Sequence, residues 1–109
     1  MLTNTEIGRY FNAGKTRGSS NRMSIIDGQN NTFLVDYGWA VLGKRNKKSG
    51  KTTFYKGWDG YSRTTSKHIS QAGLRCANEI VNKAPQTSDI VDLDTMKTAK
   101  AKKNVRSVS

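Results

Sequence analysis

Residues 23–58 decide the fold, and they read MSIIDGQNNTFLVDYGWAVLGKRNKKSGKTTFYKGW. Four segments of this stretch are rich in the β-branched and aromatic residues that favour strands: 23–26, 32–37, 39–45 and 51–58. Turn-forming residues lie between them, with Asp27-Gly28 before the second segment and NKKSG at 46–50 before the fourth. The pattern predicts two hairpins and therefore a small antiparallel sheet of about four strands, in which Gly38 and Gly43 mark a bend or a bulge.

One helix is predicted before this stretch and one after it. Thr3 and Glu6 have the spacing of a capping box, and apolar residues follow at helical spacing, which predicts a short N-terminal helix over Asn4–Asn12. A longer amphipathic helix is predicted over 65–83, and Pro85 ends it. The small and apolar residues on its predicted inner side are Ile69, Ala72, Gly73, Cys76, Ile80 and Val81.

The chain changes character after Pro85. Residues 86–94 hold three acids among few apolar residues, and residues 96–109 hold five basic residues with no acid and no aromatic residue. We therefore expect one α+β domain over residues 1–85, with the C-terminal amphipathic helix packed on one face of the sheet. Residues 86–109 are expected to form a flexible, mostly basic tail.

Positive charge is the strongest signal in the composition. The 109 residues include 19 Lys and Arg against 8 Asp and Glu, so the formal net charge is +11 and the pI is about 10.1. This excess indicates an anionic partner, and nucleic acid is favoured because each phosphate contact releases condensed counterions. An acidic protein surface is the alternative, whereas a membrane is not expected because no segment combines a basic face with a strongly apolar one.

Size and cysteine content exclude several classes of protein. A chain of 12.1 kDa with 34% hydrophobic residues has a thin core and no room for a two-domain enzyme. The single cysteine, Cys76, excludes an intrachain disulfide and a multi-cysteine metal cluster. No apolar stretch approaches the ~20 residues that span a bilayer, and residues 1–11 lack the apolar core of a signal peptide. We therefore expect a cytoplasmic protein.

Few residues are suited to catalysis. His68 and Cys76 are eight positions apart on the predicted helix, which is about 12 Å along its axis and too far for proton transfer. We expect Cys76 in the core and His68 at the helix surface or in a capping role. Asp27 and Asp59 lie at predicted turns. The sequence therefore predicts a protein that is not an enzyme and takes neither a cofactor nor a metal.

Cations and aromatic residues alternate over much of the predicted domain. Five of these cations, within 44–51, crowd the tip of the second hairpin. Aromatic rings between cations offer faces on which unpaired bases stack, at about 1–3 kcal/mol each. Trp39 and Phe54 are expected to lie in the core instead. The predicted nucleic-acid-binding residues are Lys15, Arg17, Arg22, Lys44, Arg45, Lys47, Lys48, Lys51, Lys56, Arg63, Lys67, Tyr55, Trp58 and Tyr61.

Residues 60–69 (GYSRTTSKHI) resemble a motif of small proteins encoded by bacteriophages and mobile elements, in which Tyr-Ser-x-Thr-Thr-Ser-Lys-His follows a β segment and opens a helix. The similarity covers residues 8–75 and includes 10–12 and 35–41, but the Lys-rich segment 44–51 departs from it. The resemblance implies an accessory protein in the cytoplasm of a bacterial host, with no catalytic residues to carry over. We expect it to bind DNA or RNA through the Lys/Arg-rich tip. The alternative is an inhibitor or modulator of a host protein, such as a defence nuclease complex or RNA polymerase.

Overall fold

The computed structural model describes residues 2–94, which form one sheet with helices packed against it. The helices are α1 (Asn4–Asn12), α2 (Arg63–Gln71) and α3 (Ile90–Asp94). The strands are β1 (Met23–Asp27), β2 (Asn31–Asp36), β3 (Ala40–Asn46), β4 (Thr52–Tyr55) and β5 (Glu79–Val81). Short 3₁₀ turns occupy Lys56–Trp58, Leu74–Cys76 and Thr87–Asp89. The predicted α+β class is confirmed, as is the helix over Asn4–Asn12.

The sheet has five strands in the order of the sequence, one more than expected. Strands β1 to β4 form an antiparallel meander, and β5 joins β4 in parallel. The register between β2 and β3 shifts so that Leu34 pairs with Gly43 and Val35 with Val41, which leaves Leu42 as the extra residue of a bulge. Gly43 is required beside this bulge, because a Cβ there would lie 2.7 Å from the Thr53 carbonyl oxygen.

The second helix is shorter than the sequence predicts. It ends at Gln71 instead of continuing to residue 83, because Gly73 adopts the left-handed conformation at φ +71°. The residues beyond it form a 3₁₀ turn and β5, which supplies the fifth strand. The prediction that Cys76 lies in the core is therefore wrong, since both Cys76 and Ile80 are exposed.

The core lies between the sheet and the two longer helices. Every residue of β2 is buried, so both of its faces are covered. The helices cross closely where Gly8 meets Ala72, because a Cβ on Gly8 would lie 2.6 Å from the Ala72 Cα. The Asn12 side-chain amide ties them together by donating to the carbonyl oxygens of Gly8 at 3.0 Å and of Ala72 at 3.1 Å.

Residues 86–94, expected at the start of a flexible tail, pack against the sheet. The backbone N–H of Thr87 donates to the Trp39 carbonyl at 2.9 Å. The Asp94 carboxylate, which is buried, accepts the backbone N–H groups of Gln29, Asn30 and Asn31 at 2.6, 3.0 and 2.8 Å. These contacts hold the start of the segment to the turn between β2 and β3 and its end to the turn between β1 and β2. The rest of the predicted tail, 95–109, lies outside the described residues.

Candidate nucleic-acid interface

The predicted site residues fall at opposite ends of the sheet. The tip end comprises the β1–β2 turn and the β3–β4 turn, which meet where the Lys47 N–H donates to the Asn30 carbonyl at 3.0 Å. The aromatic end comprises the β2–β3 turn (37–39) and the segment 56–62. The length of β3 separates the two ends by about 20 Å, at ~3.4 Å per residue. The sequence predicted a single binding surface, but in the structure its residues form two separate groups.

At the tip end, Arg45 joins the loop after α1 to the β3–β4 turn. A Cβ on Gly14 would lie 2.8 Å from one Arg45 guanidinium nitrogen, and a Cβ on Gly50 would lie 3.1 Å from the other. The guanidinium group therefore lies against both glycines, which brings Lys15, the residue after Gly14, to the turn that carries Lys48. Arg17 follows in the same loop and is exposed.

Two lysines of the tip are occupied by contacts within the fold. Lys47 forms an ion pair with Asp27 at 2.5 Å. Lys44 is half-buried and donates to the Leu93 carbonyl at 3.2 Å. Burial lowers the pKa of Lys44, against the opposing effect of Glu79 and Asp94. These two side chains are engaged within the tip, whereas Lys48 and Lys51 are exposed and form no ion pair with any residue in 2–94.

At the aromatic end, the rings of Trp39 and Tyr61 pack edge to face against Trp58. Trp58 is only 4% exposed, and its indole N–H donates to the Pro85 carbonyl at 2.9 Å. Its ring centroid lies 5.0 Å from that of Trp39 and 5.1 Å from that of Tyr61. Trp39 is 36% and Tyr61 61% exposed. The expectation that Trp39 lies in the core is wrong, and it is Trp58 that is buried.

The ring of Tyr55 belongs to the core rather than to an interface. It lies on β4, whose last three residues are buried, and burial raises the pKa of its hydroxyl. Phe54 on the same strand is buried, as expected. Of the three aromatic residues predicted to contact bases, Tyr61 is therefore the one with an exposed ring.

Four predicted cations belong to the aromatic end. Arg22 lies over the ring of Tyr37, with 6.0 Å between the guanidinium carbon and the ring centroid. Lys56 begins the 3₁₀ turn that carries Trp58. Arg63 is the first residue of α2, two residues after Tyr61, and Lys67 lies one turn later. Residues four apart lie on the same side of a helix, so Arg63 and Lys67 share one side of α2.

A buried acid–base pair that the sequence analysis missed supports this end. His68 is 3% exposed and Asp36 is fully buried, and the His68 Nδ1 lies 2.9 Å from each oxygen of the carboxylate. Burial raises the pKa of Asp36, although the hydrogen bond with His68 opposes the shift. The expectation of a surface or capping histidine is wrong. Its spacing with Thr65, Ile69 and Ala72 is the signal that places His68 on the inner side of α2.

The carboxylates of the described region are occupied by contacts within the protein. Asp36 pairs with His68, Asp27 with Lys47 and Asp59 with Arg75. Burial of Asp94 favours a raised pKa, but the hydrogen bonds from residues 29–31 outweigh it and hold the pKa of Asp94 below its usual value. These four acids are therefore engaged away from the exposed lysines and arginines, whereas Glu79 and Asp89 are exposed.

Comparison with known proteins places no further constraint on the site. No known protein family, no curated protein and no solved structure matches this chain. Among residues 2–94, no three His, Cys, Asp or Glu side chains are grouped so that they could hold a metal ion. None of the helices in this part of the chain is long and apolar enough to cross a membrane.

Proposed function

We propose that this protein is a non-catalytic nucleic-acid-binding module of phage type, acting in the cytoplasm of a bacterial host. The proposal rests on one observation: most acidic side chains are engaged in contacts within the protein, whereas several lysines are not. Most acids of the described region are paired, buried or used in caps, although Glu79 is exposed and accepts only a hydrogen bond from Thr53; Lys15, Lys48 and Lys51 form no ion pair within residues 2–94. A surface with uncompensated positive charge gains most from a polyanion, because each phosphate contact releases counterions.

The tip end is the part best suited to phosphates. Its turn is held by Asn46, whose side-chain oxygen accepts the N–H groups of Lys48 and Ser49 at 2.9 Å each. Lys48 and Lys51 are thereby carried on an ordered turn instead of a free loop, and Arg45 holds the loop with Lys15 beside them. An ordered set of cations loses less conformational entropy on binding than the same residues on a disordered segment.

Salt dependence of binding is the test. The logarithm of the affinity for labelled DNA or RNA should fall linearly with the logarithm of the salt concentration, and the slope should decrease by about 1 for each phosphate contact removed. We expect Lys48→Ala and Lys51→Ala to reduce the slope. Arg9→Ala, which removes an exposed cation of α1 outside both ends, is the control and should leave the slope unchanged.

The alternative partner is an acidic protein of the host. A pull-down from nuclease-treated lysate distinguishes a protein partner from a nucleic-acid partner. Nucleic acid that bridges to other proteins is lost on this treatment, whereas a direct protein partner is retained. A retained protein, together with an affinity for purified oligonucleotides that does not depend on salt, would show that the proposal is wrong and that the protein is an inhibitor or modulator.

A further inference from the structure

The rings of Trp39 and Tyr61, which we call the aromatic platform, are exposed yet rigidly supported. Both stand edge-on to the buried Trp58, and their own centroids are 6.0 Å apart. The main chain of Trp39 is held on both sides, because its N–H donates to the Asp36 carbonyl and its carbonyl accepts the Thr87 N–H. Rings fixed in this way lose little rotamer freedom when a ligand packs on them.

Cations of α2 follow Tyr61, and one exposed acid, Asp89, lies two residues after the Thr87 contact with Trp39. The two carboxylates nearest to it in the sequence are engaged by neighbouring side chains, Asp36 by the hydrogen bonds with His68 and Asp59 by the ion pair with Arg75. Arg63, two residues after Tyr61, forms no ion pair in the region that the structure covers, and neither does Lys67. The surface therefore combines π faces with unpaired cations and presents no free carboxylate from either acid.

This combination fits a nucleotide whose base is unpaired. In a duplex the base faces are stacked on one another, and only edges and phosphates are accessible. In a single strand each base has a free face that stacks on an aromatic side chain, with little dependence on sequence. Cations beside the ring then contact the phosphates that flank the stacked base.

We infer that the aromatic platform binds an unpaired base of single-stranded nucleic acid, with Arg63 and Lys67 contacting the flanking phosphates. The inference rests on the proposed nucleic-acid binding and adds the strandedness of the ligand. It also gives the two ends different tasks. The tip end contacts phosphates of either form of nucleic acid, and the platform selects the single strand.

The test compares a labelled oligothymidine strand with a duplex of equal length, by fluorescence anisotropy of the full chain at one salt concentration. Removing one stacking ring, in Tyr61→Ala or Trp39→Ala, should weaken binding of the single strand about 5- to 150-fold and leave duplex binding unchanged. Tyr61→Phe keeps the ring and should bind like the native protein. Tyr10→Ala, which removes an exposed ring of α1, is the matched control.

The outcomes separate this inference from the proposed function. If Lys48→Ala reduces the salt slope while Tyr61→Ala binds the single strand normally, nucleic-acid binding stands and the platform inference is wrong. If the native protein binds neither oligonucleotide, both are wrong. If Tyr61→Ala converts a native dimer into a monomer in sedimentation without weakening strand binding, the platform contacts a second copy of the chain and the inference is overturned. Tyr61 is 61% exposed, so its removal leaves the core intact.

Discussion

Replacing His68 with leucine tests the buried pair at the aromatic end. In the native protein the imidazole lies 2.9 Å from both Asp36 oxygens, and Asp36 is fully buried. His68→Leu keeps a side chain of similar size but leaves the carboxylate without its side-chain partner. A buried carboxylate that loses its hydrogen-bond partner costs about 1–3 kcal/mol or more, which is a substantial part of the roughly 5–15 kcal/mol that stabilises a single domain.

The pH dependence of this loss has a definite sign. Burial already raises the pKa of Asp36 in the native protein, and the variant lacks the opposing hydrogen bond from His68. A carboxyl group whose folded pKa lies above its unfolded value of about 3.9 destabilises the fold when it is ionised. The deficit of His68→Leu should therefore be largest near about pH 7 and should shrink as the pH falls towards the unfolded pKa.

Urea unfolding followed by the fluorescence of Trp39 and Trp58 measures both effects. His68→Asn is the matched variant, because its amide keeps an N–H donor near the position of Nδ1, and it should lose less stability than His68→Leu. Adding Asp36→Asn to His68→Leu removes the stranded charge and should recover part of the loss. A deficit for His68→Leu below about 1 kcal/mol, or one that does not change with pH, would refute the reasoning.

Three further substitutions test other parts of the fold. Asp94→Asn should lower the free energy of unfolding by about 1.5–3 kcal/mol at neutral pH. Because the pKa of Asp94 is lowered in the folded protein, the native protein loses this advantage as the pH falls below the unfolded pKa of about 3.9 and through the folded pKa. Urea titrations at several pH values should therefore show the difference between the two proteins vanish at low pH. Gly57→Ala should cost about 1–3 kcal/mol, since its Cβ would lie 2.4 Å from the Lys83 carbonyl group, and thermal unfolding that is unchanged would contradict the close approach. Arg75→Ala should change stability by less than about 1 kcal/mol, because its pair with Asp59 is solvent-exposed, and a larger loss in urea would show that the pair is structural.

Features that depend on neighbours in the sequence were predictable. The capping box of Thr3 and Glu6 joins residues three apart, with N–H to oxygen distances of 2.8 and 3.1 Å, and it begins α1 as expected. The hairpins follow from alternating strand segments and their turn residues. Such features form from local conformational preferences, which a chain expresses wherever it lies in the fold.

Gly73 shows where local information ends. A glycine inside a helical pattern is compatible both with a tolerated helix position and with a left-handed helix end. Packing favours the helix end at Gly73, because residues 79–81 can then pair with β4 as a strand of the sheet. The sequence pattern favours a continuous helix to residue 83, and only the sheet edge available in the folded protein makes the shorter helix the better solution.

By itself, then, the sequence determined the α+β class, the N-terminal helix, the hairpins and the large excess of positive charge. Only the tertiary structure decided that His68 pairs with an aspartate 32 positions away, and that Trp39 is exposed while Trp58 is buried. The physical reason is that exposure and charge neutralisation are set by contacts between residues far apart in the chain. Composition counts the cations and rings, but only packing selects which of them remain free to meet a ligand.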